Sequence, residues 1–117
     1  MKYIGKEKDF QIAVANYLRS IGAIFHHSPN EGVMKPQYGA LRKKQGVSSG
    51  VPDLLIFDKV GNYNGLAIEL KVGYNKPTKE QLEWGEALKN NGWLWIWSND
   101  IDVVIDAIDK YFTKKLN

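Results

Sequence analysis

The stretch from Gly50 to Lys71 constrains this chain more than any other. It reads Gly-Val-Pro-Asp-Leu-Leu-Ile-Phe, then a turn, then Leu-Ala-Ile-Glu-Leu-Lys-Val. Two apolar runs of strand length, separated by Gly61, Asn62, Asn64 and Gly65, predict a hairpin with strands over 53–58 and 66–72. Pro52 biases Val51 to extended backbone and opens the first strand at Asp53. Side chains alternate across a strand, so Glu69 and Lys71 share one face, while Leu66, Ile68, Leu70 and Val72 form an apolar one. A turn centred near Asn62 sets Asp53 opposite Glu69 and Lys71, or one pair diagonal to them. Two carboxylates and an ammonium on an otherwise buried sheet make poor structure. They suit a divalent metal and a phosphodiester.

The remaining segments supply a frame for that hairpin. Phe10, Ala13, Val14, Tyr17, Leu18 and Ile21 recur at helical spacing, predicting a helix over 6–21 stopped by Gly22. A short strand follows at 23–28, then an irregular stretch over 29–50 with a helical turn around Tyr38 to Gln45. Thr78 and Gln81 form a capping-box pattern opening a helix over 78–91, which Gly92 closes. Trp93 to Trp97 is a continuous apolar run, as in a strand covered on both faces. A last helix begins after Ser98 or Asn99, with Ile101, Val104, Ile105, Ile108 and Phe112 on its inner stripe. The predicted fold is α/β, a mixed sheet in the order α-β-β-β-α-β-α.

Composition excludes several classes. At 117 residues the chain is expected to form one domain over 1–117. An apolar fraction of 44% with four Trp residues argues for a folded globule. No run approaches the roughly 18 apolar residues of a transmembrane helix, and no signal-peptide apolar region is evident. The absence of Cys excludes disulfides and thiolate metal sites, and fits a cytoplasmic protein. Net charge is only +3, but it is unevenly spread. Lys35, Arg42, Lys43 and Lys44 stand against the single acid Glu31 between residues 30 and 50, whereas Asp100 to Asp109 holds four acids and no base. A basic side facing away from an acidic one suits contact with nucleic acid, although a solvated loop has the same composition.

Mg²⁺ and Mn²⁺ take hard oxygen ligands and keep several waters. Asp53 and Glu69 would supply two carboxylates and the Leu70 backbone carbonyl a third oxygen. A metal there would polarise a scissile phosphate and lower the pKa of a bound water. Lys71 would orient or deprotonate that water, or stabilise charge on the transition state; the pattern does not choose among these. The competing reading makes Asp53 and Glu69 surface acids and Lys71 their ion-pair partner. Glu7, at the end of the first helix's apolar stripe, is expected to face inward as a second-metal ligand or as the residue ordering metal-bound water. Alternatively it is a first-turn acid that favours the helix dipole. Gln11, one turn on, flanks the same stripe. Gln81 either closes on Thr78 or reaches the site. His26 and His27, adjacent on a strand, point opposite ways and are read as non-ligands. The Trp93, Trp95, Trp97 stripe is read as core or interface.

Together these residues resemble the VRR-NUC family, a branch of the PD-(D/E)XK nuclease superfamily. The resemblance runs along nearly the whole chain: Glu7-Lys8-Asp9-Phe10-Gln11, Pro29-Asn30-Glu31-Gly32, Gly50-Val51-Pro52-Asp53, Glu69-Leu70-Lys71, and Lys79-Glu80-Gln81. It implies a restriction-endonuclease-like fold and a Mg²⁺- or Mn²⁺-dependent phosphodiesterase with catalytic roles at Glu7, Asp53, Glu69, Lys71 and Gln81. Asn30, within a family motif, joins Lys35, Arg42, Lys43, Lys44, Lys76 and Lys79 as expected DNA contacts. Small stand-alone members look like phage or prophage proteins, placing this one in the cytoplasm of a bacterial or phage-infected cell. The family also suggests a homodimer, whose two symmetric sites suit opposing strands of a four-way (Holliday) junction. Less selective cleavage of DNA, or of flaps and single strands, is the enzymatic alternative. A catalytically silent nucleic-acid-binding module, or an adaptor using the Trp-rich strand, are the non-enzymatic ones.

Overall fold

A computed structural model of the chain describes residues 2–28 and 36–114. The elements are α1 (Glu7–Ser20), β1 (Phe25–His27), α2 (Pro36–Lys44), β2 (Leu54–Ile56), β3 (Gly65–Leu70), α3 (Lys79–Asn90), β4 (Trp93–Ser98) and α4 (Ile101–Thr113). The strands form one sheet in the order β1-β2-β3-β4. The first two pairings are antiparallel, and β3 with β4 is parallel, joined by the α3 crossover. This is the α/β, restriction-endonuclease-like arrangement expected, with one correction to the order. The turn around Tyr38 to Gln45 is a nine-residue helix, α2. Its residues from Tyr38 to Lys44 are exposed apart from Gly39, so it carries no apolar stripe by which periodicity can reveal it.

β3 is buried along its whole length because both of its faces are covered. Leu66, Ile68 and Leu70 point into a core shared with Phe10, Val14 and Leu18 of α1 and Val104, Ile108 and Tyr111 of α4. Each such aliphatic side chain contributes about 1.5–3 kcal/mol by leaving water. On the other face lie Gly65, Ala67 and Glu69, beneath α3. The burial stripes differ slightly from expectation: Ile21 is exposed, whereas Ala15 and Tyr111 are buried.

Helices lie over both faces of the Trp-rich strand, α3 over Trp95 and α4 over Leu94 and Ile96, but the cover is partial. β4 is an edge strand, its Trp93 to Ile96 are half-buried, and Trp97 is 37% exposed. α3 packs closely on the Trp95 face: a Cβ on Gly85 would lie 2.7 Å from the Trp95 ring. The capping box on α3 is formed as expected. Thr78 Oγ1 accepts from Gln81 N at 3.2 Å, and Gln81 Oε1 accepts from Thr78 N at 2.8 Å. No described helix is long and apolar enough to cross a membrane.

Candidate active site

The carboxylates meet where the β2–β3 ladder stops. Leu54 pairs with Ile68, so the register carried one residue further sets Asp53 across from Glu69 and diagonal to Lys71. Asp53 is buried, and its Oδ2 accepts the Leu70 N–H at 2.7 Å. A side-chain oxygen thus takes the place of the strand carbonyl that β2 no longer offers. The Asp53 carbonyl in turn accepts from Ser28 N at 2.8 Å, tying the position to the end of β1. Upstream, the chain passes hard against α3. Gly50 has φ +84°, and a Cβ there would lie 2.7 Å from the Glu80 carbonyl carbon. Only glycine combines that backbone with that approach.

The Leu70 carbonyl faces the same way. Lys71 N donates to Ser98 O of β4 at 3.0 Å. The Leu70–Lys71 peptide is trans, so its carbonyl points away from β4, toward the side where Asp53 holds the Leu70 N–H.

Glu69 is the centre of the cluster, with its side chain 2% exposed. Its two oxygens have different surroundings. Oε1 accepts from Gln81 Nε2 at 2.8 Å and lies 3.8 Å from Lys71 Nζ. Oε2 is buried and accepts no hydrogen bond from a donor group among the described residues. The Glu69 carboxyl is pushed up from 4.5 to about 9. Burial contributes most, then the charge of Asp53, then a hydrogen-bonding relation with Asp53 that favours a proton on Glu69. Lys71 opposes the shift, and Glu7 adds to it.

Gln81 does both things the sequence left as alternatives. Its Oε1 closes the cap on Thr78 while its Nε2 holds Glu69. Thr78 N can only donate, so the network itself fixes which end of the amide is oxygen. Glu7 reaches the site by charge, but it is exposed rather than inward-facing, being a first-turn residue at the helix end. Gln11 is half-buried one turn on.

The donor set fits a hard divalent cation. Among the described residues no three His, Cys, Asp or Glu side chains gather at one point. Protein oxygens from Asp53, Glu69 Oε2 and the Leu70 carbonyl leave the remaining positions to water, as Mg²⁺ prefers. The orphaned, buried Oε2 is the atom most in need of such a partner.

The other expected contacts within the described residues are basic residues on the surface. Arg42, Lys43 and Lys44 form the exposed last turn of α2. Lys76 and Lys79 are exposed in the loop before α3 and at its first residue. Asn30 and Lys35 lie outside the described residues. His26 is exposed and His27 half-buried on β1. Sequence reasoning missed Ser28 and Ser98, which hold Asp53 and Lys71 through backbone groups. Such contacts carry no residue-type signal.

No family model matches this chain, and no curated protein matches it. A solved structure described as a VRR_NUC domain protein is similar to it, with a TM-score of 0.78 and 32% sequence identity. The similarity covers 92% of this chain and 88% of that one.

Proposed function

This chain belongs to the VRR-NUC family of nuclease domains, and on that premise we propose that it is a divalent-metal-dependent DNA endonuclease. The observation that carries the reading is the division of labour at Glu69: one oxygen fixed by Gln81 and Lys71, the other buried with no donor group facing it among the described residues, and the Asp53 carboxyl close by. A structural ion pair needs no such open oxygen. Asp53, Glu69 and the Leu70 carbonyl would hold Mg²⁺ or Mn²⁺. When bound, the ion supplies Lewis-acid polarisation of the phosphodiester and a more acidic water.

The protein's own groups do the rest. Gln81 keeps the Glu69 carboxylate in one rotamer, which is preorganisation that costs nothing at the moment of reaction. Lys71, with its side chain 14% exposed, keeps its ammonium at the mouth of the cluster. There it holds a water in line with the phosphorus or stabilises negative charge on the phosphoryl oxygens. Glu7 adds negative charge at the rim, where it orders water around the ion. Arg42, Lys43, Lys44, Lys76 and Lys79 bind backbone phosphates, which position DNA without reading its sequence.

The substrate we favour is branched DNA, with the four-way junction first, cut by a homodimer. Two copies related by a two-fold axis would present two clusters to opposing strands. The test is cleavage of a synthetic four-way junction beside linear duplex and single strand of matching sequence, with Mn²⁺, by wild type and Glu69→Ala. Paired nicks on the junction alone, lost in the variant, are expected. Cutting of all three substrates would keep the nuclease and remove the junction. A folded wild type that cuts nothing with metal present would leave only nucleic-acid binding.

A further inference from the structure

We infer that the groove between α1 and β1 is a phosphodiester-binding subsite for the strand that runs past the carboxylates. This rests on the nuclease reading and extends it to where the flanking DNA lies. The groove measures about 640 Å³ and is walled by Lys8, Gln11 and Arg19 of α1 and by Phe25, His26 and His27 of β1. Among the described residues no carboxylate lines it; Glu7 and Asp9 flank Lys8 along the chain but are not among its walls. Lys8 and Arg19 bring two positive charges and the imidazoles hydrogen-bonding nitrogens, so the groove suits an anion. Lys8, Gln11 and Arg19 lie on one stripe of α1, spanning about 16 Å of helix. A nucleic-acid strand laid along it would bring about two or three phosphates within reach.

Two further features argue for a ligand rather than a solvated face. His27 Nε2 is buried without a hydrogen-bond partner among the described residues, a cost natural folds rarely leave unmet. Arg19 holds its guanidinium 5.8 Å from the Phe25 ring centre, steadied by Asn16 Oδ1 at 3.2 Å. A guanidinium already held on an aromatic wall loses little freedom when it meets a phosphate.

Position links the groove to the cluster. His27 pairs with Leu54, the neighbour of Asp53, and Ser28 N holds the Asp53 carbonyl. On the facing wall, Lys8 follows Glu7. Both walls therefore end at the cluster, and a strand lying in the groove would lead its next phosphate toward Asp53 and Glu69.

The test is anisotropy titration of a fluorescent single strand and a four-way junction, in Ca²⁺ to suppress cutting, across a salt series. Wild type is compared with Lys8→Gln/Arg19→Gln, both exposed positions whose fold is checked by thermal melting. The expected result is about tenfold weaker binding at low salt. The log–log salt slope should fall by roughly 1.5, at about 0.7–0.9 per lost phosphate contact. A second arm walks single uncharged methylphosphonate linkages along the strand. Wild type should lose affinity at one or two positions beside the cut, and the variant should be indifferent there. An unchanged slope in a folded variant, or no sensitive linkage in wild type, would overturn the subsite while leaving cleavage by wild type untouched. Wild type that neither binds nor cuts DNA would remove the nuclease reading and the subsite together.

Discussion

Replacing Glu69 by glutamine should make the metal-free protein more stable, by an amount that grows with pH. The Glu69 carboxyl is buried opposite Asp53 and pushed up from 4.5 to about 9. A group whose folded pKa lies above its unfolded one contributes fully below the unfolded value and loses that contribution as pH climbs through the folded value. At pH 7 the unfolded carboxyl has shed its proton and the folded one keeps it. Folding must therefore take up a proton over about 2.5 pH units, at a cost on the order of 3 kcal/mol. Relaxation around the ionised group lowers this, so about 1–3 kcal/mol is expected, or roughly 4–12 °C in Tm for a chain of this size. Glutamine keeps the shape, leaves an oxygen for Gln81 Nε2, and offers Asp53 a donor. The assay is thermal unfolding in EDTA from pH 5 to pH 9. The gap between variant and wild type should close toward pH 4.5 and widen toward pH 9. Parallel curves, or a variant less stable at every pH, would show that the folded protein holds Glu69 ionised and would refute the reasoning.

Mn²⁺ should raise the Tm of wild type, more at pH 8 than at pH 6 because the ion displaces the Glu69 proton; at 100 times Kd the gain is about 2.7 kcal/mol. A Tm indifferent to millimolar Mn²⁺ would count against the cluster as a metal site. Lys71→Ala should abolish cleavage and leave junction binding nearly intact; equal loss of both would reassign Lys71 to binding. Thr78→Ala should cost about 1 kcal/mol of stability with cleavage retained, whereas Gln81→Ala should lose the same stability and most of the cleavage. Identical cleavage in the two variants would confine Gln81 to capping. Lys43→Ala/Lys44→Ala should weaken binding across sequences and lower the salt slope by about 1.5, and an unchanged slope would place the end of α2 away from DNA.

The geometry of the site was legible where residue type and spacing carry information. Alternation on β3 separated Glu69 and Lys71 from Leu66, Ile68 and Leu70, and the turn residues set Asp53 across from Glu69. Thr78 and Gln81 announced the capping box. What stayed hidden depends on distance between elements. The capping pattern cannot reveal that Gln81 Nε2 is left over to reach a carboxylate on β3, because the pattern uses only its oxygen. α2 was read as a turn because a helix exposed from Tyr38 to Lys44 has no apolar stripe to detect. The apolar run of β4 signals cover on both faces but not its place at the sheet edge, because so large a side chain as Trp is half-covered as readily there as inside.

The place of the site follows from how the sheet ends. β3 is paired on both sides as far as Ile68, but beyond it only the parallel partner continues, through Leu70↔Ser98 and Lys71 N to Ser98 O. On the vacated side Leu70 has an N–H that a buried backbone cannot leave unmet. Asp53 meets it with a side chain rather than a carbonyl, and this puts a negative charge where a neutral strand would have gone. Glu69, already buried beneath α3, then faces that charge and draws Gln81 and Lys71 to one of its oxygens. The same substitution of side chain for backbone that closes the ladder thus creates an electrostatic debt in a dry place, and a divalent cation is the partner that would relieve it. Asp53→Asn should accordingly keep the Leu70 hydrogen bond and the fold while losing metal-induced stabilisation, whereas Asp53→Ala should lose both.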